Sequence, residues 1–285
     1  MHDEIKTGFN RRDVIIYALG IGAADLRHTY ENDDSFQPIP TILFSLTLKG
    51  DTNDTQSFPP PFFPQNEVPI RGPVLDAERY LELFRPLEAS EQLKMRTSCL
   101  AVSRKGSGAI VQNETLFTDA AGNKVARVVS GIFYVGSTDV REHGVVQKFT
   151  RPVPEEHRPD LIAQEIVNQQ LPAIYRLSGD YNPLHIDPDV AAPLGFTRPI
   201  MHGLCSLGFA VRIVIKEFLH NDASLVKRVA CRFSKPAYPG SVLRIEMWKN
   251  GDDCVSFRVV DHDSGTVVVD QAYVEFQAAL KSSKL

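Results

Sequence analysis

Two rhythms of apolar residues organise the second half of the chain. Between Gly203 and His220, the residues Leu204, Leu207, Val211, Val214, Ile215 and Phe218 recur at helical spacing. This stretch predicts a buried central helix, with Arg212, Lys216 and Glu217 on its polar faces and Asn221-Asp222 at its end. Further on the period drops to two. The runs Cys254 to Val260 and Thr266 to Phe276 are rich in β-branched residues and flank the turn Asp263-Ser264-Gly265, which predicts a hairpin. The first half predicts another hairpin, Ala109 to Phe117 and Val125 to Val135, around Asp119-Ala120-Ala121-Gly122.

These two hairpins belong to a longer series of echoes. Ile16-Tyr17-Ala18-Leu19-Gly20 is answered by Ile174-Tyr175-Arg176-Leu177-Ser178-Gly179, and Phe84-Arg85-Pro86-Leu87 by Phe233-Ser234-Lys235-Pro236. The order of the echoes is kept, so the chain reads as a diverged internal repeat. Each half reads as helix first and antiparallel strands after, without βαβ alternation, which is an α+β pattern. The join falls at Phe149 to Asp160, where three prolines and several charges make a linker and divide the chain into 1–150 and 151–285. A Pro/Phe loop, Phe58 to Pro64, interrupts the first half and can be neither helix nor central strand. Its phenylalanines are suited to covering apolar surface.

Composition narrows the function classes. A net charge of −4 without like-charge blocks points away from nucleic acid and from a membrane surface as partners. The cysteines Cys99, Cys205, Cys231 and Cys254 form no Cys-x-x-Cys pair and read as reduced thiols. No stretch is apolar enough to span a bilayer, and the acidic start Met1-His2-Asp3-Glu4 does not read as a secretory signal. The sequence ends Ser283-Lys284-Leu285, the tripeptide address read by the peroxisomal import receptor.

Candidate chemistry is concentrated between Tyr175 and Asp187. Gly179 permits a conformation that ends a helix, and Pro183 forces Asn182 toward an extended one. Asp180, Asn182 and His185 therefore sit on a constrained loop that can aim all three at one point. The competing structural reading is an Asx-turn at Asp180 and Asn182 beside a satisfied core histidine. A second element, Arg198-Pro199-Ile200-Met201-His202-Gly203-Leu204, leads into the predicted central helix. The N–H at Gly203 belongs to the unpartnered, positive end of that helix and could meet a ligand oxygen. Alternatively, Gly203 eases packing at the helix start.

The segment Ser178-Gly179-Asp180-Tyr181-Asn182-Pro183-Leu184-His185, with His202-Gly203-Leu204, resembles the (R)-specific 2-enoyl-CoA hydratases (hydratase 2), which are MaoC-like dehydratases of the hot-dog superfamily. Tyr17 to Gly20, Tyr80 to Leu83, Lys105 to Gly108 and Lys235 to Gly240 extend the resemblance to the eukaryotic two-repeat members. It implies a double hot-dog, each repeat an antiparallel sheet around a long central helix. It also implies a catalytic loop in the second repeat alone, since Leu19-Gly20 is followed by Ile21-Gly22-Ala23-Ala24, and a first repeat given over to the acyl chain.

By the same resemblance, Asp180 and His185 hold a water and move its proton, Asn182 positions them, and the Gly203 N–H binds the thioester oxygen. Asp76, Ala77, Lys105, Gly203 and Phe233 take ligand-contacting positions, and Tyr181, Pro183 and Leu184 line the substrate loop. Asp76 stands where the family has His. Glu31 resembles a further active-site acid, although Tyr30-Glu31-Asn32-Asp33 also reads as a turn. Arg104, Lys105, Arg232 and Lys235 are candidates for the CoA phosphates. No cofactor is implied, since CoA is part of the substrate. No metal is expected either, because one Asp and one His lack a third ligand. The implied partners are an acyl-CoA thioester, a second copy of the chain in a homodimer and the import receptor, in a peroxisome. The alternatives are a hot-dog acyl-CoA thioesterase and a non-catalytic acyl-CoA-binding protein.

Overall fold

The computed structural model describes residues 4–60 and 68–277. Ser283-Lys284-Leu285 and residues 61–64 of the Pro/Phe loop lie outside that range.

In the first half, strand β1 (Ile5–Phe9) leads into helices α1 (Arg11–Gly20), α2 (Leu26–Thr29) and α3 (Ile42–Lys49). Strands β2 (Val74–Leu83), β3 (Glu91–Lys105), β4 (Gly108–Thr118), β5 (Lys124–Val135) and the short β6 (His143–Gly144) follow. The second half runs β7 (Leu161–Ile166), α4 (Leu171–Tyr175), α5 (Pro188–Ala191), α6 (Gly203–Leu219), β8 (Val226–Phe233), β9 (Val242–Lys249), β10 (Cys254–Asp261) and β11 (Val267–Phe276). One antiparallel sheet contains them all in the order β1-β3-β4-β5-β2-β8-β11-β10-β9-β7, with β6 beside β3. Read from either edge inward, the order is the same: each strand of the first half has its counterpart six places on. The internal repeat seen in the sequence is thus a repeat of topology. The halves meet where β2 pairs β8 from Glu78↔Arg232 to Glu82↔Arg228, a seam strengthened by the Arg228–Glu82 ion pair at 2.9 Å.

Each half opens with a short edge strand, which the helix-first reading missed. β7 alternates half-buried Leu161, Ala163 and Glu165 with exposed Ile162, Gln164 and Ile166. A strand of six residues directly after a proline-rich linker gives too few periods to stand out. That linker lies on the outer sheet face, where Phe149 stacks on Tyr80 at 4.0 Å and Trp248 Nε1 donates to the His157 carbonyl at 2.9 Å.

The two central helices differ twofold in length. α6 has 17 residues and is buried along most of its faces. α3 has 8 and ends at Gly50, at φ 64°. The expected long helix in both repeats is corrected accordingly: only the second has one. Arg212 also departs from its predicted polar face. It is buried, donating Nε to the Ile21 carbonyl at 3.0 Å and placing Nη2 2.9 Å from Glu165. α1 begins with a capping box, in which Asn10 Oδ1 accepts from Asp13 N at 3.1 Å and Asp13 Oδ2 from Asn10 N at 3.0 Å. Lys49, at the end of α3, reaches Asp13 and the Gly8 carbonyl, both at 3.0 Å. No helix among the described residues is long and apolar enough to cross a membrane. None of the four cysteines is in a disulfide, and only Cys99 is more than slightly exposed.

Candidate active site

The chain leaves α4 through a tight turn, Arg176–Ser178, and breaks at Gly179, where φ is 129°. A Cβ at this position would sit 2.7 Å from Lys49 Cβ and 2.9 Å from the Ser45 carbonyl, both on α3. Only glycine fits, so the loop of the second repeat is seated on the short helix of the first. Beyond it, Asp180 Oδ1 accepts from Asn182 N at 3.3 Å, and Asn182 Oδ1 accepts from Leu184 N at 3.1 Å. The Asx-turn reading is therefore correct as far as it goes. Asn182 spends its carbonyl oxygen on the loop, and its amide nitrogen remains for a ligand.

His185 closes the loop. Its Nδ1–H donates to the Ile200 carbonyl at 2.9 Å, which leaves the Nε2 lone pair to accept a proton. Burial lowers its pKa, while Asp180 and the Ile200 carbonyl oppose the shift. A neutral, oriented imidazole beside a carboxyl group can take a proton from water. Asp180 and His185 are buried, at 8 and 9 % exposure, so charge developing between them is weakly screened.

His202, not assigned a role from the sequence, is the third member of the cluster. It is 1 % exposed. Its Nε2–H donates to the Asp180 carbonyl at 3.2 Å, and its ring lies 3.8 Å from that of His185 and 4.9 Å from that of Tyr175. The one available signal was its place before a helix, where Ser, Thr, Asp or Asn is usual. With it, one ligand atom each from Asp180, His185 and His202 falls within 4.8 Å. The expectation of no metal had rested on a missing third ligand, and that premise is wrong. The two imidazole rings are stacked at 3.8 Å and tilted by 30°.

Gly203 is the first residue of α6, so its N–H has no carbonyl four residues back within the helix. A Cβ there would lie 3.1 Å from the Phe233 ring. The packing reading holds, since the glycine lets Phe233 close over the helix start, and the same arrangement leaves the N–H bare. The sheet register places the other predicted contacts on separate strands. Asp76 pairs with Ile132, Glu78 with Arg232 and, farther out, Lys105 with Gly108 at a hairpin tip. Asp76 Oδ2 accepts Arg79 Nε at 3.0 Å, whereas its buried Oδ1 has no partner. Burial raises the Asp76 pKa, the Arg79 charge opposes this, and Asp180 adds to it, which places the two carboxyls in range of one another. Arg79, which also reaches Ser130 Oγ, was not foreseen. Ala77, Pro183 and Leu184 are half-buried. Tyr181 is buried under the Arg176 guanidinium, 5.1 Å from its ring centre. Arg104, Lys105, Arg232 and Lys235 are exposed.

Glu31 is corrected. It is exposed on the turn after α2, and α2 is anchored at the far end of α6 by Arg27 donating to the His220 carbonyl at 3.0 Å and Asn221 to Asp25 at 2.8 Å. A helix of 17 residues separates that end from Gly203 by about 25 Å.

Residues 148–272 match the family described as MaoC like domain, and residues 8–136 the one described as MFE-2 hydratase 2 N-terminal domain. Enoyl-CoA hydratase 2, peroxisomal, of Arabidopsis thaliana is 32 % identical, over 87 % of this chain and 84 % of its own length. The chain belongs to the MaoC-like hydratase 2 family. The crystal structure of a MaoC-like dehydratase from Phytophthora capsici superposes with a TM-score of 0.90 at 34 % identity, covering 98 % of this chain and 96 % of the other. Peroxisomal multifunctional enzyme type 2 of Drosophila melanogaster is 39 % identical over 95 % of this chain, which spans 46 % of that protein's length.

Proposed function

We propose that this chain hydrates trans-2-enoyl-CoA thioesters to (3R)-3-hydroxyacyl-CoA in peroxisomal fatty-acid β-oxidation. The supporting observation is the pairing of a buried, Nδ1-anchored His185 with Asp180 beside the bare N–H at the start of α6. A water held between the Asp180 carboxylate and His185 Nε2 attacks C3. One O–H bond of the water breaks and the C3–O bond forms. The pair takes the released proton and returns it to C2, so both groups end as they began. The negative charge that develops on the thioester oxygen is met by the Gly203 N–H, a contact that strengthens as the reaction proceeds. No cofactor or metal takes part. The names of the Arabidopsis and Drosophila relatives support the peroxisome and the enoyl-CoA substrate.

In this reading, residues 151–285 carry the chemistry and 1–150 house the acyl chain. The support for that division is the difference between the central helices, 8 residues in α3 against 17 in α6. Asp76 and Lys105 meet the CoA moiety, and the working unit is a homodimer. Crotonyl-CoA tests the reading. Loss of the enoyl absorbance with formation of the 3R alcohol is expected. Release of free CoA would make the protein a thioesterase, and a 3S product would overturn the family mechanism.

A further inference from the structure

We infer that His202 is a positioning residue that couples the acid/base pair to the oxyanion donor of the same site. The inference rests on the hydratase reading above. His202 touches all three parts of the site: its Nε2–H holds the Asp180 carbonyl at 3.2 Å, its ring covers His185 at 3.8 Å, and its own backbone caps α6 next to Gly203. Nδ1 is buried with no hydrogen-bond partner, which has no structural benefit and costs the desolvation of one lone pair. A residue selected only to cap the helix would be Ser, Thr, Asp or Asn. The retained imidazole supplies what those lack, a donor long enough to reach Asp180 together with an aromatic face for His185.

The two contacts act differently. The hydrogen bond fixes where Asp180 stands relative to Gly203, and displacement of a reacting group by about 1 Å can lower turnover 100-fold. The ring keeps water off one face of His185, so it maintains the burial that holds His185 neutral. His202 itself stays neutral, pushed well down first by burial and then by His185. The other ionisable groups around the pair are Asp180 and Arg176 on the loop side, Tyr175 on α4, Cys205 on α6, and Asp76 on β2 facing Asp180.

Two substitutions separate the contacts. His202→Phe keeps the ring and removes the donor. We expect kcat to fall about 10- to 100-fold, with little change in KM and the acid limb of the pH profile unmoved. His202→Gln keeps a donor and removes the ring. Its acid limb should move upward, toward the ordinary histidine range, with a smaller loss of kcat. NMR titration of the His185 ring reads the same shift with no substrate and no turnover: upward in the Gln variant, unchanged in the Phe variant. A His185 titration and a kcat that stay at wild-type values in both variants overturn the inference, as does a change confined to KM. If the wild-type protein does not hydrate crotonyl-CoA, the hydratase reading fails, and the NMR titration still decides whether the two rings are coupled.

Discussion

The loop after Tyr17 and the loop after Tyr175 occupy matching places in the two repeats and have opposite contents. In the first, Ile21 is wholly buried and Ala23 nearly so. Gly22 lies so close under the Phe209 ring that a Cβ would approach it to 2.6 Å, and a Cβ on Gly208 would meet Ile21 at 2.5 Å. Hydrocarbon fills the space, to the benefit of stability. Around the second, buried polar atoms stand without partners: Ser178 Oγ in the loop itself, His202 Nδ1 at the start of α6 and Asp76 Oδ1 on β2 of the first repeat. Each such atom costs about 1–3 kcal/mol, which folding alone would remove. The apolar loop keeps stability that the polar loop gives up, which fits the proposed function of the second.

The comparison breaks most sharply at Asp180 and His185. Asp180→Asn or His185→Gln should lower kcat by about 100- to 10,000-fold with the circular dichroism spectrum unchanged. Ala24→Asn, an exposed position in the first loop, should leave kcat where it was. Turnover of crotonyl-CoA by an Asp180→Asn protein at the wild-type rate would show that the chemistry lies elsewhere.

Much of this was legible beforehand, for identifiable reasons. Periodicity announces α6 and both hairpins because each covers several turns or alternations. Gly179 and Pro183 announce the loop because their backbone restrictions act locally. What escaped depends on distance in sequence. The seat of Gly179 on Ser45 and Lys49, the Ile200 carbonyl under His185 and the nearness of Asp76 to Asp180 all arise from packing of remote segments. Glu31 was misplaced because motif resemblance carries no coordinates, and only the anchoring of α2 at the end of α6 shows how far away it is. His202 has no legible role in the sequence, since what a helix-start histidine touches depends on segments that are remote along the chain.

Phe209→Ala sharpens the comparison from the other side. It empties the space over Gly22 in the first repeat, so a loss of about 3–5 kcal/mol is expected. Urea unfolding measures it. The kcat per folded molecule should stay within a few-fold, because Phe209 does not touch Asp180, His185 or His202 in the described contacts. A hundredfold fall in kcat without loss of stability would mean that the packed loop is part of the reaction.

Gly179→Ala and Gly22→Ala form a smaller, matched pair. Both glycines have positive φ, 129° and 72°, so each substitution should destabilise the protein by about 1–3 kcal/mol. The effects on activity should differ. The Cβ at 179 pushes against Ser45 and Lys49 and displaces Asp180, whereas that at 22 pushes against Phe209 alone. Equal losses of kcat in the two variants would erase the distinction between the loops.

The smallest effect is a dependence on pH, and it too separates the repeats. His28 in the first repeat and His185 and His202 in the second all have lowered pKa values, burial being the first cause in each. Their unfolded-state pKa is about 6.5, so as pH falls through that value the unfolded chain takes up protons that the folded chain refuses. Stability is therefore complete above about pH 6.5 and declines below it, until the folded-state pKa values are reached, by about 1.4 kcal/mol per pH unit for each unmatched proton. Urea unfolding of wild type and His28→Gln at pH 7.5 and 5.5 measures the first repeat's share, and the variant should lose less stability on acidification. His28 Nδ1 is bonded to the Gln37 carbonyl, away from the reacting groups, so its substitution should flatten the stability curve and leave the acid limb of kcat/KM in place. In the proposed mechanism that limb belongs to His185, which must be unprotonated to accept the water's proton. It should report an apparent pKa below 6.5. An acid limb that moves with His28→Gln would mean that the first repeat titrates into the chemistry and that the two loops are not independent.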